Sequence, residues 1–462
     1  MKSRRNKTCC SLVLLCFSFT LLYAQPDNQP VEISAEMAVM MAMNNNRNIK
    51  ALDHQLKGTE YDVKSAITNF LPDVSLSGQY TRLSKQDDLP SVPGGMSSGL
   101  LGMGMDLENS YKFSLQIQQP IFTGFQILNG LKSAKLSHTL QEATNDKTRQ
   151  TIKYAVLQIY WGLVSLQKSQ TVAIEAKKQL KELTSNQEAM MEQGMTTEHD
   201  YLLTKASLAQ AEMNELNVIK TLKSMKRQFA LLLGIPVNSK IILTDSTAGS
   251  KEITTNNVDS LITRAQMERP DLKETCFQLQ LSDLGIKAAR ASYYPSLYAG
   301  FSYSNSRPDN FYRDQWGDSW TLYASLNFTL WDWGNRAFKV KKAKEQKLSL
   351  VELFEQKKAD IESDVLDALS DVNLSSKALE VAQLMADARE KNYHASLAKH
   401  EEGVISTYEL LDTHNSYISA QYQALQAATN LELAVINLEM DGIGKTTDMN
   451  QTSSSAGGMN QP

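Results

Sequence analysis

The stretch "SWTLYASLNFTLWDWGN", Ser319–Asn335, alternates in character. Trp320, Leu322, Ala324, Leu326, Phe328 and Leu330 are apolar, and Thr321, Tyr323, Ser325, Asn327 and Thr329 stand between them. A period of two is that of a strand, here expected over Trp320–Leu330, with one apolar and one polar face. The chain on either side has the composition of long helices, so the apolar face needs something to touch. Three other segments alternate in the same way: Val74–Leu83, Tyr111–Phe122 and Leu297–Asn305. In the second, Tyr111, Phe113, Leu115 and Ile117 form one apolar row; in the third, Leu297, Ala299, Phe301 and Tyr303 form another.

The strands belong to a repeat. "KSAITNFLPDVSLSGQYT" at Lys64–Thr81 returns as "KAARASYYPSLYAGFSYS" at Lys287–Ser304. "PIFTGFQILNGLKSAK" at Pro120–Lys135 returns as "TLWDWGNRAFKVKKAK" at Thr329–Lys344. "EQGMTTEHDYLL" at Glu192–Leu203 returns as "EEGVISTYELLD" at Glu401–Asp412. The order is the same in both copies, the signature of an internally duplicated chain. The first copy carries extra residues within Ser84–Glu108, a Gly-, Pro- and Ser-rich loop where insertions are easily absorbed.

Each copy reads helix, strand, loop, strand, long helix, turn, helix. First helices are expected near 34–69 and 258–293, closed by Pro72 and Pro295. Long helices are expected near 128–193 and 336–402, each ~100 Å at 1.5 Å per residue, turning at Gly194 and Gly403 to return to 233 and 440. Apolar steps of four and three, Ile152, Val156, Ile159, Leu163, Leu166, mark a coiled-coil seam, repeated at Ile361, Val365, Ala368 and Val372. Leu233-Gly234-Ile235-Pro236 stops the first return helix. The expected organisation is thus a first repeat over 25–233, a linker over 234–257 with a short strand near Lys240–Thr244, a second repeat over 258–440, and a disordered tail over 441–462.

The chain opens with Lys2, Arg4, Arg5 and Lys7, then an apolar run from Ser11 to Leu22, then Tyr23-Ala24-Gln25. That pattern predicts a secretory signal over 1–24. Leu15 before Cys16 is too bulky for a lipoprotein signal, so lipid attachment is not expected. Cys9, Cys10 and Cys16 lie in the leader; Cys276 remains, expected to be buried, and no disulfide framework is possible. The net charge is −4, and the leader takes four cations with it, which argues against nucleic-acid binding.

With no apolar run long enough for a spanning helix, entry into a membrane would have to use strands. Strands of about ten residues fit a tilted crossing. Four strands do not close a barrel, since about eight are needed. Either they form a soluble sheet, making the chain a periplasmic structural tether, or several chains share one barrel. Export, aromatic residues at strand ends (Tyr111, Phe122, Trp320, Trp331, Trp333) and helices of ~100 Å favour the shared barrel.

The duplicated layout, the Pro72 and Pro295 strand entries, "PIFTG" and "TLWDWGN" at the strand exits, the turns at Gly194 and Gly403 and "LLGIP" together resemble the TolC-like outer-membrane efflux family, over essentially all of the chain after the leader. The resemblance implies a homotrimer with a twelve-stranded β-barrel in the outer membrane and a tunnel of long helices in the periplasm. It implies a periplasmic adaptor protein and an inner-membrane pump as partners, outer-membrane lipid around the barrel, and no cofactor. It also implies that acids six and nine positions past the second turn glycine line the periplasmic aperture: Glu409 and Asp412, with Asp200 as the counterpart in the first copy. Two such charges ~6 Å apart repel by about 0.7 kcal/mol in water. Gly194 and Gly403 are then the helix tips that meet the adaptor. Gln193 and Glu402 stand where valine is frequent in the family, and Ile405 where an arginine helps lock the mouth in some members.

Catalysis finds no support. His54, His138, His199, His394, His400 and His414 are scattered without metal-ligand spacing. Gly99, Gly102 and Gly104 do not sit between a strand and a helix, so they make no nucleotide loop. Met96, Met103 and Met105 belong to the same loop and read as surface residues.

Overall fold

A computed structural model describes residues 31–82, 109–245, 258–309 and 314–443. The expected leader, the Met-rich loop, the second half of the linker and most of the expected tail lie outside the described residues.

Helices dominate. In chain order the elements are β1 (Val31–Ile33), α1 (Ala35–Asn45), α2 (Arg47–Thr68), β2 (Asp73–Arg82), β3 (Asn109–Thr123), α3 (Gln126–Glu192), α4 (Glu198–Leu233) and β4 (Ile241–Leu243). They continue with α5 (Val258–Glu268), α6 (Pro270–Ala291), β5 (Ser296–Arg307), β6 (Gly317–Asn327), α7 (Asn335–Glu401), α8 (Thr407–Leu438) and a π turn, Glu439–Ile443. α3 and α7 have 67 residues each. At 1.5 Å per residue each is ~100 Å long. No described helix is long and apolar enough to cross a membrane.

Towards the sheet, α2 packs on α3, α3 on α6 and α6 on α7. Towards the other end, α4 packs on α3, α3 on α8 and α8 on α7. Each half of the length therefore presents four helices side by side. Short elements gather at the junction between the halves. There β1 and β4 pair in parallel, and Ile33, Ile152, Val156, Tyr160, Leu163, Phe229 and Leu233 form a closed core. The second copy builds its counterpart from Ala265, Leu272, Ile361, Val365, Ala368, Val372 and Leu438. Tyr160 donates to Asp245 Oδ2 at 2.8 Å, and burial pushes its hydroxyl up to about 12.

Each first helix is broken rather than continuous. Asn46 ends α1 and caps α2: its Oδ1 accepts from Asn48 N at 2.8 Å, and its Nδ2 donates to Leu232 O at 2.8 Å. The second break comes at Pro270, the first residue of α6, whose ring fits a helix start but not a helix interior. Beside it Arg269 is only 13% exposed and holds three carboxylates, Asp271, Asp364 and Asp441, while Lys357 also pairs with Asp271. Asp441, at the start of the expected disordered tail, is therefore a fixed ion-pair partner inside the π turn. Its contact with Arg269 ties it to the bundle.

The other sheet is antiparallel, in the order β2-β3-β5-β6. Its register stacks like residues: Leu76 opposite Leu115, Leu115 opposite Tyr303, Tyr303 opposite Trp320. One face is thus apolar across its middle rows. Leu76, Leu322 and Leu326 are 78%, 72% and 67% exposed. The opposite face carries hydroxyls and amides, with Ser77–Ser114 and Ser304–Ser319 pairs at 2.9 Å and Gln116 donating to Tyr323 at 3.1 Å. Gly300 lies under Tyr323, and a Cβ there would stand 2.3 Å from the ring. β6 ends at Asn327, short of the expected Leu330, because its partner β5 begins at Ser296, opposite Asn327. Phe328, Leu330 and Trp331 continue past the sheet, exposed.

Aromatic rings gather at both ends of the sheet. Near the helices, Phe125 packs edge-on to Phe122 and Tyr294, and Trp331 to Trp333. At the far end, Tyr80, Tyr111, Phe113 and Trp316 form a chain of rings 5.1 to 6.1 Å apart.

Candidate functional site: the ends of the long helices

The two long hairpins turn by the same device. At the first tip Gly194 N donates to Met191 O at 2.9 Å and Met195 N to Met190 O at 2.8 Å. At the second, Gly403 N donates to His400 O and Val404 N to Lys399 O at 3.0 and 2.8 Å. This paired bonding needs a left-handed residue at the turn, and Gly194 and Gly403 have φ of 71° and 73°. Nothing lies within 4 Å of a Cβ added at either. Gly194→Ala and Gly403→Ala are therefore expected to cost about 1 kcal/mol each through backbone conformation alone, seen as a small drop in melting temperature. An unchanged melt for both would mean that the tips do not hold this turn.

The return helices also start alike. Thr197 Oγ1 accepts from Asp200 N at 3.1 Å and donates to Asp200 Oδ2 at 2.6 Å. Ser406 Oγ accepts from Glu409 N at 3.2 Å. Asp200 and Glu409 thus hold equivalent places in the first turns of α4 and α8, where negative charge complements the helix dipole. That local role accounts for an acid at both places. It does not account for Asp412, one turn on, which is exposed beside exposed Glu409. Its counterpart Leu203 packs instead against the cluster of Leu180, Ala211 and Leu411. The second hairpin therefore presents two acids on one face and the first presents one.

Behind the tips α3 crosses α8. Leu183 packs against the cluster of Tyr393, Leu410 and Tyr417, whose tyrosine rings stack at 5.5 Å. Buried Gln187 meets His400 Nε2 at 3.4 Å, and the same nitrogen meets Thr407 Oγ1 at 3.2 Å. Gln179 Oε1 lies 3.1 Å from His414 Nε2. Sequence reasoning passed over these residues because histidine and glutamine on a long helix are normally solvated. Their one signal is that Thr407, Leu410, Leu411, His414 and Tyr417 share a face.

Among the described residues no group of three or more His, Cys, Asp or Glu side chains is placed to hold a metal. Cys276, expected to be buried, is half-buried on α6, a helix with solvent along one side. Clefts at the junction, such as that lined by Asp146, Arg149, Glu268 and Lys273, carry charges of both signs.

The parts define a segment of a tube rather than an enclosed domain: a strip of helices, an amphipathic sheet at one end and hairpin turns at the other. A family model described as "Outer membrane efflux protein" matches residues 38–234 and 261–440. The chain belongs to the outer membrane efflux protein family, and its place is the outer membrane with a large periplasmic portion. The probable outer membrane lipoprotein SilC of Salmonella typhimurium is 26% identical over 181 residues, 39% of each protein. OprJ of Pseudomonas aeruginosa is 23% identical over 172 residues, 37% of this chain and 36% of OprJ. These matches span under two-fifths of the relatives' lengths. The fold extends much further. The Campylobacter jejuni CmeC outer membrane channel superposes with a TM-score of 0.74 at 15% identity, over 89% of this chain and 85% of that one. CusC gives 0.70 at 15% identity, over 88% and 91%. The family consists of passive channels, not enzymes.

Proposed function

We propose that the chain is the outer-membrane exit duct of a tripartite efflux or type I secretion system. Three copies join their sheets edge to edge into a twelve-stranded barrel, with the apolar faces in lipid and the polar faces lining a pore. The helices of the three chains close a periplasmic tunnel. Gly194 and Gly403 meet a periplasmic adaptor, and through it an inner-membrane pump. Glu409, Asp412 and Asp200 line the aperture. The cargo is small molecules (drugs, metals or other toxic compounds) or proteins, chosen by the pump.

One observation carries this reading: a sheet whose one face is apolar across its middle rows and exposed there, with β2 and β6 at its edges among the described residues. Open strand edges in lipid cost several kcal/mol per group, so membrane insertion demands closure by other copies. A soluble tether would leave the same apolar face in water, where contiguous patches of that size promote aggregation. Detergent-free extraction separates the two: a duct stays with the outer membrane and is released by detergent as a trimer. A monomer freed by salt washing alone would support the tether.

The aperture is tested in planar bilayers. A ring of Glu409 and Asp412 attracts multivalent cations. The double variant E409A/D412A is expected to weaken block by a trivalent cation about tenfold, about 1.4 kcal/mol at the mouth. Unchanged block would remove the pair from the pore.

A further inference from the structure

Two buried side-chain atoms among the described residues lack any hydrogen-bond partner: Gln187 Oε1 and His414 Nδ1. Both belong to the α3–α8 crossing behind the tips. There two polar pairs, Gln187···His400 at 3.4 Å and Gln179···His414 at 3.1 Å, flank an apolar layer of Leu180, Leu183, Leu410 and Leu411. A buried unpaired polar atom weakens the packing that encloses it. A crossing with one at each end is held less firmly than the junction, where Tyr160 and Asn46 find partners.

His414 adds chemistry to this weakness. It is 3% exposed and packs edge-on to Tyr393 at 5.2 Å. With Gln179 Oε1 as its acceptor, Nε2 carries the proton and Nδ1 is left with a bare lone pair. The ring lines a cavity of about 90 Å³ that it shares with Ser207, Gln210 and Asn214 of α4 and Asn415 and Tyr422 of α8. That volume admits water, but Nδ1 itself is buried away from it.

We infer that the α3–α8 crossing is an acid-sensitive latch: protonation of His414 at Nδ1 requires the crossing to part, so that mild acid loosens the hairpin ends. The proton comes from solvent and forms a new N–H, which finds no acceptor while the crossing is closed. Groups facing the site come from every neighbouring helix. α3 brings Glu175 and Glu182, α7 brings Glu390, Tyr393, His394 and His400, and α8 brings Tyr417 and Tyr422. The side chains that α4 contributes to the cavity, Ser207, Gln210, Ala211 and Asn214, do not titrate. Glu182 acts on Tyr393, and Glu390 and Glu175 act on Tyr417, which stacks on Tyr393. Burial holds the closed His414 down to about 4, against 6.5 for a solvated imidazole. The closed state is therefore undisturbed above 6.5 and loses ground as pH falls from there towards 4.

Linkage sets the size of the effect: between pH 7.5 and pH 5 the opening equilibrium rises about 30-fold. Amide hydrogen exchange on the full-length chain in detergent, corrected for the intrinsic pH dependence, reads it directly. Protection is expected to fall about 30-fold in segments 176–187 and 407–420, with little change in the junction segment 152–164. His414→Gln keeps an amide donor for Gln179 but has no proton to take, and is expected to flatten the profile. A wild-type slope that survives in H414Q would assign the effect to other groups at the crossing, His400 and the carboxylates included, and overturn the latch. A wild-type profile flat from pH 7.5 to 5 would overturn it without any variant.

Discussion

Leu322→Arg is expected to remove the protein from the outer membrane, while Thr321→Arg, one residue away, leaves it there. Leu322 sits on β6 opposite Phe301, 72% exposed on the apolar face. Thr321 sits opposite Ser302 on the polar face. In the proposed barrel the first variant puts a guanidinium into the hydrocarbon, at a cost of about 2–4 kcal/mol per copy near the midplane. Three copies multiply that into an assembly failure. The second adds a cation to a wet pore. Membrane fractionation followed by semi-native gels reads both. If the two variants behave alike, the faces of this sheet do not divide lipid from water.

Arg269→Ala is expected to cost about 3–5 kcal/mol, the range for removing one partner from a buried ionic network. Arg269 donates to Asp271 at 2.9 Å, Asp364 at 2.9 Å and Asp441 at 3.2 Å. It joins the α5–α6 corner, α7 and the π turn that ends the described chain. Its charge offsets the burial that otherwise disfavours ionised carboxyls here. Asp271 stays below the usual carboxylate range, because hydrogen bonds and charge from Arg269 and Lys357 outweigh its desolvation. Asp441 is already pushed up by burial, despite Arg269. Without the guanidinium both acids face each other and Asp364, partly desolvated. Thermal melts of the purified protein measure the loss. An R269A melt within a degree or two of wild type would show that the corner is held by packing alone.

Much of the fold could be read along the chain because its signals are local. Strand alternation, the two 67-residue helices and the turn glycines each depend on neighbours within a few residues. The burial of Ile152, Val156, Leu163, Ile361 and Val365 follows from spacing on one helix face. The breaks at Asn46 and Pro270 were harder to see. Pro270 carried its own warning, but Asn46 caps α2 partly because Leu232 O is there to hold its side chain. The last residues expected in β6 fell outside it because strand length is set by the partner strand. The three-residue β1 pairs with β4 from the linker beyond the first copy and had no local pattern to reveal it. The acids at the tips were found by family likeness, and the structure gives Asp200 and Glu409 a helix-starting role that the sequence already spelled in Thr197 and Ser406.

The sequence by itself determined the duplicated order of elements, the amphipathic strands and the family, because each rests on periodicity or on motifs that survive without knowing what touches what. Only the tertiary structure decided which polar side chains lose their water. Gln187 and His400 are 213 residues apart, and Gln179 and His414 are 235 apart. A histidine becomes a buried base with an empty lone pair only when a second helix, folded back from the other copy, closes over it.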